Sequence, residues 1–249
     1  MSYPKSGRTW LKLLLGKSLC SHFGIPDWYA LDMKVSMGRA DLGPLVFQHG
    51  GSALRDNKAF EDIHHNLEEY REKPTIILIR DPRDVVVSSY FQATRRIGVF
   101  SGTISEFIRN DKFGIQRICS FYDLWSAFVD EGPLVMLITY EDLKADPFSE
   151  ATKVLDFFGL DFIDESSVIE AIEFSNFEKM NKMEKTDYFM SPALSNSNTN
   201  DSECFKVRKG IVGGYVNYLS EDDLDFIDKV MSKNTSSIIA RYIHPTFPR

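Results

Sequence analysis

Near the front of the chain, Tyr3-Pro4-Lys5-Ser6-Gly7-Arg8-Thr9-Trp10 runs straight into the apolar stretch Leu11 to Leu15. A turn of Pro, Ser and Gly lets successive backbone N–H groups converge on one anion, and a helix beginning there adds its positive dipole end at the same spot. Lys5 adds a mobile positive charge. Taken alone, the octapeptide also suits a turn that merely begins a helix, and both readings stay open on it. A cradle of this kind normally closes a buried strand, yet only Met1 and Ser2 precede Tyr3. The sequence therefore predicts either a first strand truncated at the front, with reduced stability, or another segment in the central place of the sheet.

The nucleoside-triphosphate form of the device, G-x-x-x-x-G-K-[ST], places its lysine after the second glycine. Here the lysine precedes Gly7, and Arg8-Thr9 follow it. The hydroxyl that would ligate magnesium loses its usual place, so a 5′-phosphosulfate suits the loop better than a magnesium triphosphate.

Two further blocks point the same way. After the strand-like Ile76-Ile77-Leu78-Ile79 comes Arg80-Asp81-Pro82, with Asp81 a good N-cap and Pro82 a good first helical residue. That order presents Arg80 at a strand's carboxyl edge, with Ser88 two turns into the following helix. An arginine and a hydroxyl can grip one phosphate. Later, Arg208-Lys209-Gly210-Ile211-Val212-Gly213-Gly214 sets two cations beside a flexible glycine series.

In this order and separation, the three blocks resemble the cytosolic-type sulfotransferases, which use 3′-phosphoadenosine 5′-phosphosulfate (PAPS). The first is similar to the family's Y-P-K-S-G-T-T-W loop, the second to its R-(x)₇-S site and the third to its R-K-G-x-x-G segment. Tyr140-Glu141-Asp142-Leu143 also resembles a family strand-to-helix motif. The resemblance implies that Lys5, Ser6, Gly7, Arg8, Thr9 and Trp10 hold the 5′-phosphosulfate end, Arg8 standing where the family has threonine. It implies that Arg80, Ser88, Arg208, Lys209 and Gly210 bind the 3′-phosphate. Tyr140, Ser175, Phe177 and Met180 would lie along the nucleoside. The implied product is adenosine 3′,5′-bisphosphate (PAP).

The implied reaction is in-line sulfuryl transfer to a hydroxyl or amine of a small-molecule acceptor, through a loose transition state by analogy with phosphoryl transfer. His49, beyond the strand-like Leu45 to Gln48, is the candidate general base, because a neutral imidazole takes a hydroxyl proton near neutral pH. Lys5 would stabilise the departing phosphate oxygen, and Ser88 would restrain Lys5 until an acceptor arrives. Relatives often carry K-T-H at the base; here Phe47 replaces that lysine. His64 and His65 are expected on a solvated helix. Arg83 is expected as ordinary solvated surface.

Composition sets the bounds. A chain of 249 residues with 43% hydrophobic content can build one substantial core. The expected fold is a single-domain α/β, P-loop-like architecture over residues 1–249, with a mainly parallel central sheet flanked by helices. Expected strands are Leu45 to Gln48, Thr75 to Ile79 and Leu134 to Thr139. Expected helices are Thr9 to Ser21, Phe60 to Arg71, Pro82 to Thr94, Ser105 to Arg109, Ile115 to Val129, Phe148 to Phe158, Ser166 to Phe174 and one capped by Ser220. The turn-rich segment 188–206 is expected to be a mobile lid. Cys20, Cys119 and Cys204 are scattered and odd in number, and no C-x-x-C or H-E-x-x-H spacing occurs. A reducing, cytoplasmic setting without a metal site is expected. A net charge of −7 disfavours nucleic-acid binding, and no apolar run reaches membrane-spanning length. The acceptor is expected to be an alcohol, phenol or carbohydrate, and oligomeric state stays open. A magnesium-dependent small-molecule kinase and a non-catalytic nucleotide-binding homologue are the alternatives.

Overall fold

Thr75–Ile79 (β1) is buried at every residue, as a strand covered on both faces must be. It pairs in parallel with Val135–Thr139 (β2). These positions belong to a computed structural model that describes residues 1–50, 67–132, 134–195, 201–234 and 236–243. The helices in chain order are Arg8–Phe23 (α1), Met33–Arg39 (α2), Pro82–Phe91 (α3), Ile104–Ile108 (α4), Ile115–Glu131 (α5), Tyr140–Ala145 (α6), Pro147–Phe157 (α7), Glu165–Phe174 (α8), Phe177–Lys185 (α9), Glu221–Ser232 (α10) and Ser237–Ile243 (α11). The chain is thus α/β with a parallel sheet, as expected. Its contacts group into two compact units: residues 1–6, 49–137 and 211–249, and residues 7–48 and 138–210.

In the first unit, Ile77 and Ile79 of β1 pack with Val85 to Val87 of α3 and with α5. Helix α5 contributes Ile115, Ile118, Tyr122 and Trp125, the three- and four-residue spacing of a helix face turned to a core. Each such side chain, once fully buried, stabilises the fold by about 1.5–3 kcal/mol. Helix α10 starts with a reciprocal cap in which Ser220 Oγ accepts from the Asp223 amide and the Asp223 carboxylate accepts from the Ser220 amide. The second unit has its own core of Leu13, Cys20, Ile25, Leu31, Met180 and Leu194. Residues 13–20 of α1 are all buried, and the cation among them, Lys17, donates to Asp27 and Glu170 at 2.7 Å each. A buried ammonium requires such partners.

Ser2 forms parallel bridges with Leu78 on one side and His49 on the other. The Leu78 amide donates to Met1 O at 3.0 Å and the Gly50 amide to Ser2 O at 3.2 Å. Met1 and Ser2 therefore take the central place themselves. This short segment offers little ladder to a neighbour, so Leu45 to Gln48 do not form the expected strand; pairing is reached only at His49.

Elsewhere the shifts are local. The helix expected through Thr94 ends at Phe91 and continues as a π-helical turn, Gln92–Ile97. Of the helix expected at Phe60 to Arg71, residues 60–66 lie outside the described residues, as do His64 and His65, and Leu67–Tyr70 forms a 3₁₀ turn. Part of the expected lid, 196–200, also lies outside them. Around it Phe189, Leu194, Cys204 and Phe205 are buried, whereas Tyr188 and Met190 are exposed.

Candidate anion-binding and catalytic residues

Lys5 and Gly7 both adopt positive φ, 74° and 99°. A non-glycine residue in that region costs on the order of 1–3 kcal/mol and persists only where its surroundings enforce it. Gly7 is the N-cap of α1 and, having no side chain, caps nothing. A Cβ at Gly7 would stand 2.5 Å from Tyr140 Cδ2, so the loop rests directly on that ring. Ser6 is fully buried, and its Oγ has no hydrogen-bond partner among the described residues. An orphaned buried hydroxyl between a strained lysine and a positive-φ glycine, at the start of an uncapped helix, suits an anionic ligand.

In the first unit, Lys5 Nζ donates to Gln92 Oε1 at 3.2 Å, one turn beyond Ser88. Arg80 is held at several points. Its backbone N–H donates to Tyr122 Oη at 3.1 Å, and Tyr122 Oη–H donates to Arg80 O at 2.6 Å. Its guanidinium donates to Asp84 at 3.2 Å and to Ile211 O at 2.9 Å. Asp84 in turn accepts from the amides of Gly213 and Tyr215 at 2.9 and 3.0 Å. Burial raises the Asp84 carboxyl above the usual aspartate range, against the pull of Arg80 and the two amides. Ser88 is half-buried on α3. Asp81 caps α3 by accepting from the Arg83 amide, and Pro82 opens the helix, both as expected. Arg83 is not solvated surface. Its guanidinium clasps both oxygens of Asp81, donates to Tyr242 O and lies 4.9 Å from the Tyr215 ring centre, so its role is structural.

His49 Nδ1 lies 3.1 Å from Ser2 Oγ and 3.3 Å from Ser2 O. With Nδ1–H donated to that carbonyl, Nε2 is the basic nitrogen, the arrangement a general base needs.

In the second unit, Arg8 Nη1 donates to Phe47 O at 3.4 Å, and Lys12 Nζ stands 6.0 Å from the Phe47 ring centre. Burial and the neighbouring Arg8 hold Lys12 below the ordinary lysine range. Cations thus reach the segment where the resemblance led one to expect a lysine and Phe47 stands instead. Trp10 meets Tyr140 edge to face at 5.7 Å. Ser175 Oγ is a second buried hydroxyl without a partner among the described residues. Phe177 underlies Gly210, where a Cβ would fall 2.7 Å from the ring, whereas Met180 is buried in the core. Arg208 pairs with Glu203 at 2.9 Å, and Lys209 is exposed.

Sequence reasoning missed Ser2, Asp84, Gln92, Tyr122, Glu184 and Glu203. Only Asp84 carried a usable signal, four residues after Arg80. Among the described residues, no group of His, Cys, Asp or Glu is arranged to hold a metal ion, and no helix is long and apolar enough to cross a membrane.

Comparison with known proteins adds the family. The model of the sulfotransferase domain matches residues 1–238. Sulfotransferase 1B1 of Mus musculus is 30% identical over 94% of this chain and 81% of its own length. Flavonol 3-sulfotransferase of Flaveria bidentis is 27% identical over 93% of this chain and 79% of its own. Among solved structures, mouse sulfotransferase SULT7A1 complexed with PAP superposes with a TM-score of 0.69 at 19% identity, covering 97% of this chain and 86% of that one.

Proposed function

The chain belongs to the sulfotransferase domain family, and from that premise we infer that it transfers a sulfuryl group from PAPS to a hydroxyl or amine of a small-molecule acceptor. The orphaned, fully buried Ser6 hydroxyl carries this reading, set between the strained Lys5 and the positive-φ Gly7 at the uncapped start of α1. When bound, PAPS supplies an activated sulfuryl group on a phosphate leaving group. Ser6, Arg8, Thr9 and the loop amides hold the 5′ end, with Trp10 alongside. Lys5, whose Nζ donates to Gln92 Oε1, would stabilise charge on the departing phosphate oxygen. Arg80 and Ser88 bind the 3′-phosphate, and Arg208, Lys209 and the Gly210 backbone carry the same assignment. Tyr140, Ser175 and Phe177 flank the nucleoside, while Met180 supports them from the core.

His49 takes the acceptor proton at Nε2, its Nδ1 side fixed by Ser2. Positioning and charge stabilisation supply most of the catalysis. The named activities of the relatives, on a flavonol and on a hydroxysteroid, favour a phenol or alicyclic alcohol as the acceptor class.

Calorimetric titration with PAP and with adenosine 5′-monophosphate, without added metal, tests the cofactor assignment. A marked preference for PAP is expected; equal binding defeats it. For the base, His49→Ala is expected to lower transfer to a phenol or sterol acceptor by about 10²–10⁴-fold while PAP affinity holds. Retained transfer removes His49 from that role.

A further inference from the structure

Glu184 is fully buried on α9, where a sequence rich in Lys and Glu suggests a solvated face. Its two oxygens divide a pair of consecutive backbone donors: Oε1 accepts from the Lys206 amide at 2.7 Å and Oε2 from the Val207 amide at 2.9 Å. Asn181, one turn earlier on the same helix, donates to Val207 O at 2.9 Å. Residues 206 and 207 lead directly into Arg208-Lys209-Gly210. The Arg208 guanidinium is itself held on Glu203, and Phe177, at the start of α9, lies under Gly210. One helix therefore fixes the backbone on both sides of the two cations. Burying a carboxylate is costly, and the expenditure is explained when its bonds set a geometry that function requires.

We propose that Glu184 is a positioning residue for recognition of the cofactor's 3′-phosphate: by stapling the amides of Lys206 and Val207 it fixes where Arg208, Lys209 and the Gly210 amide are presented. This rests on the PAPS reading above. Glu184 touches no ligand; it acts through the backbone of the block that does. A carboxylate is required because both targets are donors. In Glu184→Gln the shape is kept, but one amide meets the side-chain NH₂, donor against donor.

The test compares wild type with Glu184→Gln by calorimetry, using PAP and adenosine 5′-monophosphate, together with amide exchange at residues 206 and 207. The preference of the variant for PAP is expected to fall by about tenfold, the scale of one charge-assisted hydrogen bond. Its affinity for the monophosphate is expected to stay near wild type, and exchange at Lys206 and Val207 to accelerate. An unchanged preference, or equal weakening of both nucleotides, overturns the proposal, since a purely structural residue would weaken both alike. Should the variant not fold, wild-type exchange decides: slow exchange at 206 and 207 without nucleotide, with further slowing at 208–210 on adding PAP, is expected, and fast exchange at 206 and 207 overturns the staple. If wild type shows no preference for PAP, the PAPS reading itself fails and the 3′-phosphate role of Glu184 falls with it.

Discussion

Two helix starts in this protein solve the same problem in opposite ways. Helix α3 begins at Asp81-Pro82, where the aspartate side chain accepts an orphan amide and proline removes another. Helix α1 begins at Gly7, which has no side chain to offer. The first start is closed by its own sequence and presents a side chain, Arg80, fastened by Tyr122, Asp84 and Ile211 O. The second is left open and presents its backbone. A capped helix end has spent its amides; an uncapped one beside positive-φ residues can receive an anion. The difference separates a turn that positions a cation from a turn whose backbone is the proposed binding surface.

The largest break in this comparison comes from closing the open end. Gly7→Ala places a Cβ against the Tyr140 ring and forces alanine to a φ near 99°. A stability loss of about 1–3 kcal/mol is expected. PAP affinity is expected to fall on the order of 100-fold, as more than one charge-assisted bond is lost. Calorimetry and chemical denaturation check both, and binding near wild type would show that the loop backbone is not the cradle.

Opening the closed end is the converse. Asp81→Ala removes the α3 cap and one partner of Arg83, so a loss of about 1–2 kcal/mol is expected in a urea titration. PAP affinity is expected to stay near wild type, because Arg80 keeps Tyr122, Asp84 and Ile211 O. A collapse of PAP binding would make the cap part of the site.

The smallest effect concerns a cap that titrates. Asp223 is buried, which alone would raise its pKa, but Arg109, Ser105 and the Ser220 cap hold it below the usual aspartate range. A carboxyl depressed in the folded state contributes stability that is complete above its unfolded value, about 4, and is lost as pH falls through its folded value. Stability followed from pH 5 downward is therefore expected to fall less steeply in Asp223→Asn than in wild type. Parallel curves would remove Asp223 from the acid response.

Much of this was legible locally. Asp81-Pro82 marked the start of α3, Ser220 capped α10, and β1 was bounded as its apolar run suggested, because caps, proline and strand burial act within a few residues. The strand expected at Leu45 to Gln48 was not formed, since a ladder depends on its partner and Met1–Ser2 reaches only His49. Helix α9 escaped notice because its charges resemble a solvated face, while Glu184 is buried against amides some twenty residues further on. Arg83 was misjudged for the same reason: its partners Tyr215 and Tyr242 lie far along the chain.

By itself, the sequence determined the chemistry class and singled out the residues proposed to bear it: a lysine ahead of Gly7, an arginine at the end of β1, a pair of cations before Gly210. Those follow from residue identity and from backbone preferences spanning one turn. Tertiary structure alone decided the distant partners, giving Gln92 to Lys5 and Tyr122 and Ile211 O to Arg80. The Arg80 contacts with Tyr122 and Ile211 cross 42 and 131 residues of chain. Local propensity does not reach so far; partners at that separation are chosen by packing, which brings a donor and an acceptor together once the cores around them have formed.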